Sequence, residues 1–479
     1  MTAARDMARN AGFLAAARVA TQAGNALLFF LIGRTLGFEQ LGLYAAAISF
    51  FQIVAISGGA ASTYLVREIS RRPELTGRYL VHLNALALAA GSAFAGLGAG
   101  AIWLIKGDSP IILPIVIAAF GVAPSMIATI QEGVFIAHGR SNLQAIVSVG
   151  AAIVGVVCGF AVLLTGGGVP ALLVVFVGAQ IVGLVLGRVL IGHVLRPDRE
   201  RFSIRIAWQL VRDMRVFLGS GLLSGLFARP EALLLALLSS PAQVGYFSAA
   251  MKVVDVWQFV PGTVMQTAFP ALSRAFAENR DRALSIQHHA LRALLLVSLP
   301  VGLGTLAVAP EITRLYGDAA GNSVNVLRVL SLNLTLYSLS EVFWRVLSAR
   351  GDQSQVLRVQ VLTTATRLLS GCVLIGIMGA IGAAIVTVTN IALYLVLTGR
   401  AIERDGTCIG LGALAWRPLI AAAASTAAAW WTFEHLDAAA GACVGAVIYL
   451  GLAWRLGAFG LADLDALRGR RPVVGINGR

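Results

Sequence analysis

Charge is scarce in this chain, and lysine is almost missing. Only 13 % of its 479 residues are charged, and of the 37 Lys and Arg residues only Lys106 and Lys252 are lysines. A soluble domain carries about 25 % charged residues, so a fully water-exposed globular surface is excluded. No Walker A motif exists, because that motif needs Gly-Lys and the two lysines follow Ile105 and Met251. ATP-driven work by a P-loop within this chain is thereby excluded. No His is followed by Glu, so the helical zinc motif is missing too. The four cysteines, Cys158, Cys372, Cys408 and Cys443, lie far apart, three of them inside apolar runs. They read as small packing residues, with no disulfide, metal or cofactor expected. No polar stretch is long enough for a soluble domain or a loop-borne enzyme site.

What is there is hydrocarbon: 58 % of the residues are hydrophobic. Helix-length apolar runs recur from Ala11 to Phe459. Runs of 18 or more apolar residues read as membrane spans, and continuous rather than alternating runs argue against a β-barrel. The expected fold is an all-α polytopic membrane protein of about fourteen spans, at 11–36, 41–66, 80–105, 110–137, 143–165, 169–194, 213–239, 243–272, 285–310, 323–349, 353–377, 379–401, 413–433 and 438–459. The N-terminal MTAARDMARNAGFL leads into a long span with no small-residue cleavage site, so no cleavable leader is expected.

Arginines sort by side. One set of connections holds Arg67, Arg71, Arg72, Arg78, Arg140, Arg196 to Arg215, Arg274, Arg280, Arg282, Arg350 and Arg404, with both termini. The alternate set holds little beyond Arg34, Lys106 and Arg314. Positive charge marks the cytoplasmic side, so both termini are expected there. This asymmetry explains the net charge of +14 without any nucleic acid; anionic lipid headgroups are its natural partners.

The chain also repeats itself. Leu36 to Arg71 aligns without gaps on Ser239 to Arg274 at an offset of 203, matching Gln40, Gly42, Ala46, Ala47, Gly59, Ser70 and Arg71. Further on the offset is 212: Ala137-His138-Gly139 meets Ala349-Arg350-Gly351, and Gly187-Arg188 meets Gly399-Arg400. The expected organisation is a six-span bundle over 1–194, a basic linker over 195–212, a second bundle over 213–401, and two extra helices with a tail over 402–479. Six spans is an even number, so the copies share one orientation, with a site expected between them near the midplane.

Ionisable side chains within spans are functional candidates by default. They include Arg18, Glu132, Arg229, Glu231, Lys252, Asp255, Glu341, Arg345 and Arg367. A hairpin turning near Pro241 puts Glu231 and Lys252 about 15 and 16 Å below the turn, close to mid-membrane. Two readings stay open: structural salt bridges (Glu231 with Lys252, Arg229 with Asp255), or cations facing a wet cavity that attracts an anion. Glu341 and Arg345, four apart, are expected to pair along one helix. Gly58-Gly59, Pro230 and Pro261 are hinge candidates, and Pro124 a further kink.

Several segments now resemble one family. LIGRTLGFEQLGLYAAAISF with LVREISR, APEITRLYGDAAGNSVNVLRVLS and GAIGAAIV resemble polysaccharide flippases of the Wzx type, in the multidrug/oligosaccharidyl-lipid/polysaccharide (MOP) exporter superfamily. The resemblance implies two six-helix bundles in a V, alternating access, and a cationic cavity. It implies an undecaprenyl-diphosphate-linked oligosaccharide as cargo, moved to the outer leaflet of the bacterial inner membrane. A polysaccharide polymerase, a chain-length regulator, and proton or sodium coupling come with it as expectations. Arg18, Arg229, Lys252 and Arg367 become substrate-binding candidates, and Glu231, Asp255, Glu132 and Glu341 coupling or charge-pairing candidates. Leu41 to Val66 carries no charged residue, a departure from the cation ring of lipid II flippases. The alternatives are an ion-coupled drug or metabolite exporter of the same superfamily, a membrane enzyme of polysaccharide assembly, and a non-transporting scaffold.

Overall fold

The apolar runs are helices wherever the structure describes them. In hydrocarbon every backbone N–H and C=O must be satisfied within the segment, which a helix does. The structure is a computed structural model describing residues 2–195, 198, 200–215, 230–317, 321–404, 410–435 and 438–457; the side chains of 2–20, 57, 434, 438–440 and 442 fall outside that description. No strand occurs among the described residues.

The helices are α1 (Thr2–Ala55), α2 (Ser57–Arg71), α3 (Thr76–Lys106), α4 (Ile112–Phe120), α5 (Val122–Ala137), α6 (Ser141–Leu164) and α7 (Val169–Leu190). Then come α8 over 204–215, α9 (Pro230–Leu238), α10 (Pro241–Glu278), α11 (Arg280–Ala307), α12 (Ala309–Arg314), α13 (Gly321–Arg350), α14 (Gln353–Glu403), α15 (Leu411–His435) and α16 (Ala438–Arg455).

Eight helical stretches among the described residues are long and apolar enough to cross a membrane. Two of them are double length, Thr21–Arg71 and Gln353–Glu403. Within these, α1 and α14 turn at Gly37 (φ 84°) and Gly379 (φ 58°), where the apolar pattern separates its spans. A left-handed φ is open to glycine at no steric cost. The eight stretches thus take up ten of the expected spans. Leu97, Leu104, Leu164, Leu369 and Ile377 stand largely exposed; on a soluble protein such a surface would aggregate, but here it meets lipid.

Helix breaks fall close to the hinge candidates. α1 gives way to α2 at Ile56, two residues before Gly58. α4 gives way to α5 at Gly121, three residues before Pro124. α10 runs unbroken through Pro261 and Pro270.

The repeat reaches the hydrogen bonds. Gly139 and Gly351, matched at offset 212, both have positive φ, 69° and 83°. After α5, Arg140 N–H donates to Phe135 O (2.8 Å) and Gly139 N–H to Ile136 O (3.0 Å). After α13, Asp352 N–H donates to Leu347 O (3.1 Å) and Gly351 N–H to Ser348 O (3.2 Å). Each donor and acceptor is displaced by the same 212, so the two ends share one glycine-based C-terminal cap.

The chain divides into two compact units, Met1–Ser248 and Ala249–Arg479. The first holds α1 to α9 and the opening turns of α10. The reason is visible at two glycines. A Cβ on Gly42 would strike the carbonyl of Pro241, and one on Gly245 would strike the carbonyl of Phe38. The Phe38 and Tyr246 rings pack beside them, centroids 4.9 Å apart. Small residues also let α2 and α5 approach, with Gly133 against Ser62, as membrane helix pairs require. In the second unit, Met265, Leu291, Val342, Phe343 and Leu347 build a core from α10, α11 and α13, with Ala421, Ala422 and Tyr449 of α15 and α16 packed onto it.

Candidate functional site: a polar cavity and an apolar groove

The first unit encloses a cavity of about 240 Å³ between α1, α5, α6 and α7. Its polar wall includes Asn25, Tyr44, Thr129, Glu132, Ser148 and Gln180; its small wall includes Gly155, Gly159 and Gly183. Glu132 Oε2 accepts a hydrogen bond from Gln144 Nε2 at 3.2 Å. Thr129 and Ser148 donate to their own helices, to Ser125 O (2.9 Å) and Gln144 O (3.1 Å). Their hydroxyl oxygens remain able to accept. The cavity can therefore hold a water or a small polar species, which needs two to four polar partners.

The second unit contains a larger and different space, about 1090 Å³, between α10, α11, α15 and α16. Its wall is almost wholly apolar, with Val260, Val264, Val297, Pro300, Val301 and Leu450 among its residues. At one end stand His289 and Arg292. Arg292 Nη2 donates to Gly457 O at 3.1 Å, joining the middle of α11 to the turn after α16. Midway, the Tyr449 hydroxyl donates to Leu296 O at 2.5 Å. The helices outside the sequence repeat, α15 and α16, thus supply one side of this groove.

The candidate ionisable residues distribute over both units. Glu132 and Glu231 belong to the first, and Glu231 is buried. Lys252 and Asp255 sit half-buried on α10 in the second, three residues apart. Arg367 is half-buried on α14. Each of these is engaged by a neighbouring group. Arg229 lies outside the described residues, as does the side chain of Arg18. On the same helix as Arg367, Thr363 and Thr366 donate to Val359 O and Leu362 O.

Glu341 and Arg345 pair as the spacing predicts. Arg345 Nε donates to Glu341 Oε1 at 3.0 Å. The guanidinium also lies over the Trp344 ring at 4.3 Å and the Phe269 ring at 5.5 Å. Such a pair, capped by aromatic faces, ties α10 to α13. The Trp257 indole adds a second tie, donating to Leu334 O at 2.9 Å.

Sequence reasoning missed the groove, and with it His289 and Arg292. The one available signal was the HHALR stretch within the first half of α11. Among the described residues no group of His, Cys, Asp and Glu could hold a metal ion.

The fold is that of the MOP-superfamily membrane transporters. It is similar to a lipid II flippase MurJ in an inward closed conformation, with a TM-score of 0.76 at 13 % identity, covering 92 % of this chain and 98 % of that one. It is also similar to an inward-facing multidrug resistance MATE family transporter, with a TM-score of 0.67 at 16 % identity, covering 82 % and 95 %. A polysaccharide biosynthesis protein family model matches residues 7–276, and a lipid II flippase MurJ model matches residues 142–450. The chain belongs to the polysaccharide biosynthesis protein family.

Two curated relatives come from Haloferax volcanii. A probable flippase AglR is 24 % identical over 180 residues, 36 % of this chain and 37 % of that protein. A probable low-salt glycan biosynthesis flippase Agl15 is 23 % identical over 169 residues, 35 % and 36 %. The chain thus spans little more than a third of the length of these relatives.

Proposed function

We propose that this chain is a flippase for polysaccharide biosynthesis, carrying an undecaprenyl-diphosphate-linked oligosaccharide from the inner to the outer leaflet of the bacterial inner membrane. The observation that carries the reading is the apolar groove of the second unit, in a chain of this family. Drug-sized pockets run to about 300–1,000 Å³ and place a few polar groups for orientation. This groove, at about 1090 Å³, lies just above that range, and its wall is mostly apolar, with His289 and Arg292 at one end and the hydroxyls of Thr267, Thr305, Ser425, Thr426 and Tyr449 along it. It suits a long hydrocarbon tail.

Lipid tails are as apolar as a leucine-lined wall. Moving the tail from bilayer to groove therefore gains little and costs little, and affinity rests with the charged head. A diphosphate is multiply anionic and cannot cross hydrocarbon unaided. The candidate cations for it are Arg18, Arg229, Lys252 and Arg367, with Glu231 and Asp255 as partners that hold or release them. Glu132, in the polar cavity, is the candidate for coupling to protons or sodium. Arginine asymmetry supports a cytoplasmic position for both termini and the 195–212 linker. No bond of the cargo is made or broken, so the chain acts without catalysis; a polymerase and a chain-length regulator act after it.

The likeness to a MATE transporter favours a second reading, an ion-coupled drug or metabolite exporter. A deletion strain separates the two. Without the protein, the lipid-linked glycan should stay on the cytoplasmic face, inaccessible to periplasmic probes. Normal periplasmic exposure, with no substitute flippase present, sinks the flippase reading; altered drug tolerance with normal exposure establishes the exporter.

A further inference from the structure

The linker between the two repeats ends in α8, and α8 has two faces. Ala207, Leu210 and Met214 are buried against the first unit. The opposite stripe holds Ile204, Trp208, Arg212 and Arg215, spaced as one helical face, with Arg205 beside it. Ile204 and Trp208 are each 70 % exposed, so no described residue covers them. Phe202, just before the helix, is exposed as well. Among the described residues, Arg205, Arg212 and Arg215 take part in no hydrogen bond or ion pair.

A buried histidine fixes which way this face points. His82 of α3 is fully buried. Its Nε2 accepts the Ser203 backbone N–H at 3.0 Å. That assigns the ring hydrogen to Nδ1, which faces Arg78 O at 2.6 Å. The Phe202 ring stacks on the imidazole, centroids 5.4 Å apart. Earlier in the linker, the Asp198 carbonyl lies so close to Gly77 that a Cβ there would strike it. The linker is therefore a strap pinned to the end of α3, and the rotation of α8 follows from the pin.

We propose that the outer face of α8 is an interfacial anchor that binds anionic phospholipid headgroups of the cytoplasmic leaflet. With Arg205, Arg212, Asp213 and Arg215 in twelve residues, α8 cannot enter hydrocarbon. Trp and Ile beside arginines suit the headgroup boundary instead. The partner is the membrane's own acidic lipid, not the cargo diphosphate. The inference rests on the cytoplasmic placement of the linker proposed above.

The test needs no transport. Cys158, Cys372, Cys408 and Cys443 are first replaced by serine, and a nitroxide is attached through Gln209→Cys, an exposed neighbour of Trp208. The full chain is reconstituted in vesicles of phosphatidylcholine alone or with added phosphatidylglycerol. Phosphatidylglycerol should shield the nitroxide from a water-soluble nickel chelate. Arg205→Gln/Arg212→Gln/Arg215→Gln should weaken the shielding by about fivefold in lipid affinity per arginine. Trp208→Ser, tested separately in case the triple variant misfolds, should raise nickel access in the same vesicles. Equal access in both lipids, or an unchanged triple variant, overturns the proposal. Shielding seen only in native membranes overturns it in favour of a protein partner. Because no cargo is present, these outcomes are independent of whether the chain flips a glycan.

Discussion

The two compact units make opposite use of their interior space. The first wraps a small cavity in polar side chains around Glu132. The second leaves a groove more than four times larger and lines it with valine, leucine and alanine. Gly155 in the wall of the first cavity is matched at offset 212 by Arg367 in the second unit. α15 and α16, which complete the groove, stand outside the repeat.

Four experiments press on this contrast. The largest effect is expected from blocking the groove. A side chain at Gly304, which lines it and has open space where a Cβ would go, should abolish glycan export as Gly304→Phe while expression stays normal. Full export by that variant breaks the link between groove and tail. Next, Lys252→Ala should impair export more than Lys106→Ala at equal expression; equal activity moves Lys252 to a structural role.

The third concerns stability. Glu341→Ala strands Arg345 among aromatic rings and should cost about 3 kcal/mol, read as a lower thermal midpoint in detergent. Glu341→Leu with Arg345→Leu should recover most of it, since removing both charges leaves neither uncompensated. A double variant as unstable as the single contradicts pairing as the cause. Smallest is Glu132→Ala, which removes the acceptor of Gln144 and should cost about 2 kcal/mol. An unchanged midpoint shows that the first cavity tolerates loss of its carboxylate.

Much of the fold was legible because a bilayer forces a simple rule, that apolar runs become helices. The turns were legible where glycine was needed, as at Gly37, Gly139, Gly351 and Gly379. Glu341 and Arg345 were legible because four residues make one turn. The groove was not. Within a span, a valine facing lipid and a valine facing a groove have the same hydropathy and the same neighbours in sequence. Only packing separates Val297 from an ordinary lipid-facing residue. The polar cavity was half legible: Glu132 stood out as a charge in a span, but Asn25, Tyr44, Ser148 and Gln180 converge on it from three other helices. The His82 pin had no sequence signal, because Ser203 answers it through its backbone.

The Gly42 and Gly245 contact has a consequence for how such a chain can change. The positions are related by the repeat offset, and so are the carbonyls they face, Phe38 and Pro241, each pair 203 apart. A methyl group at either position meets a peptide oxygen, which cannot rotate aside as a side chain would. The lesion from either codon is therefore the same lesion. Other positions matched by an offset hold different residues, as Gly155 and Arg367 do. These two form a single locus written twice, and neither copy can lose its glycine while the other keeps the contact.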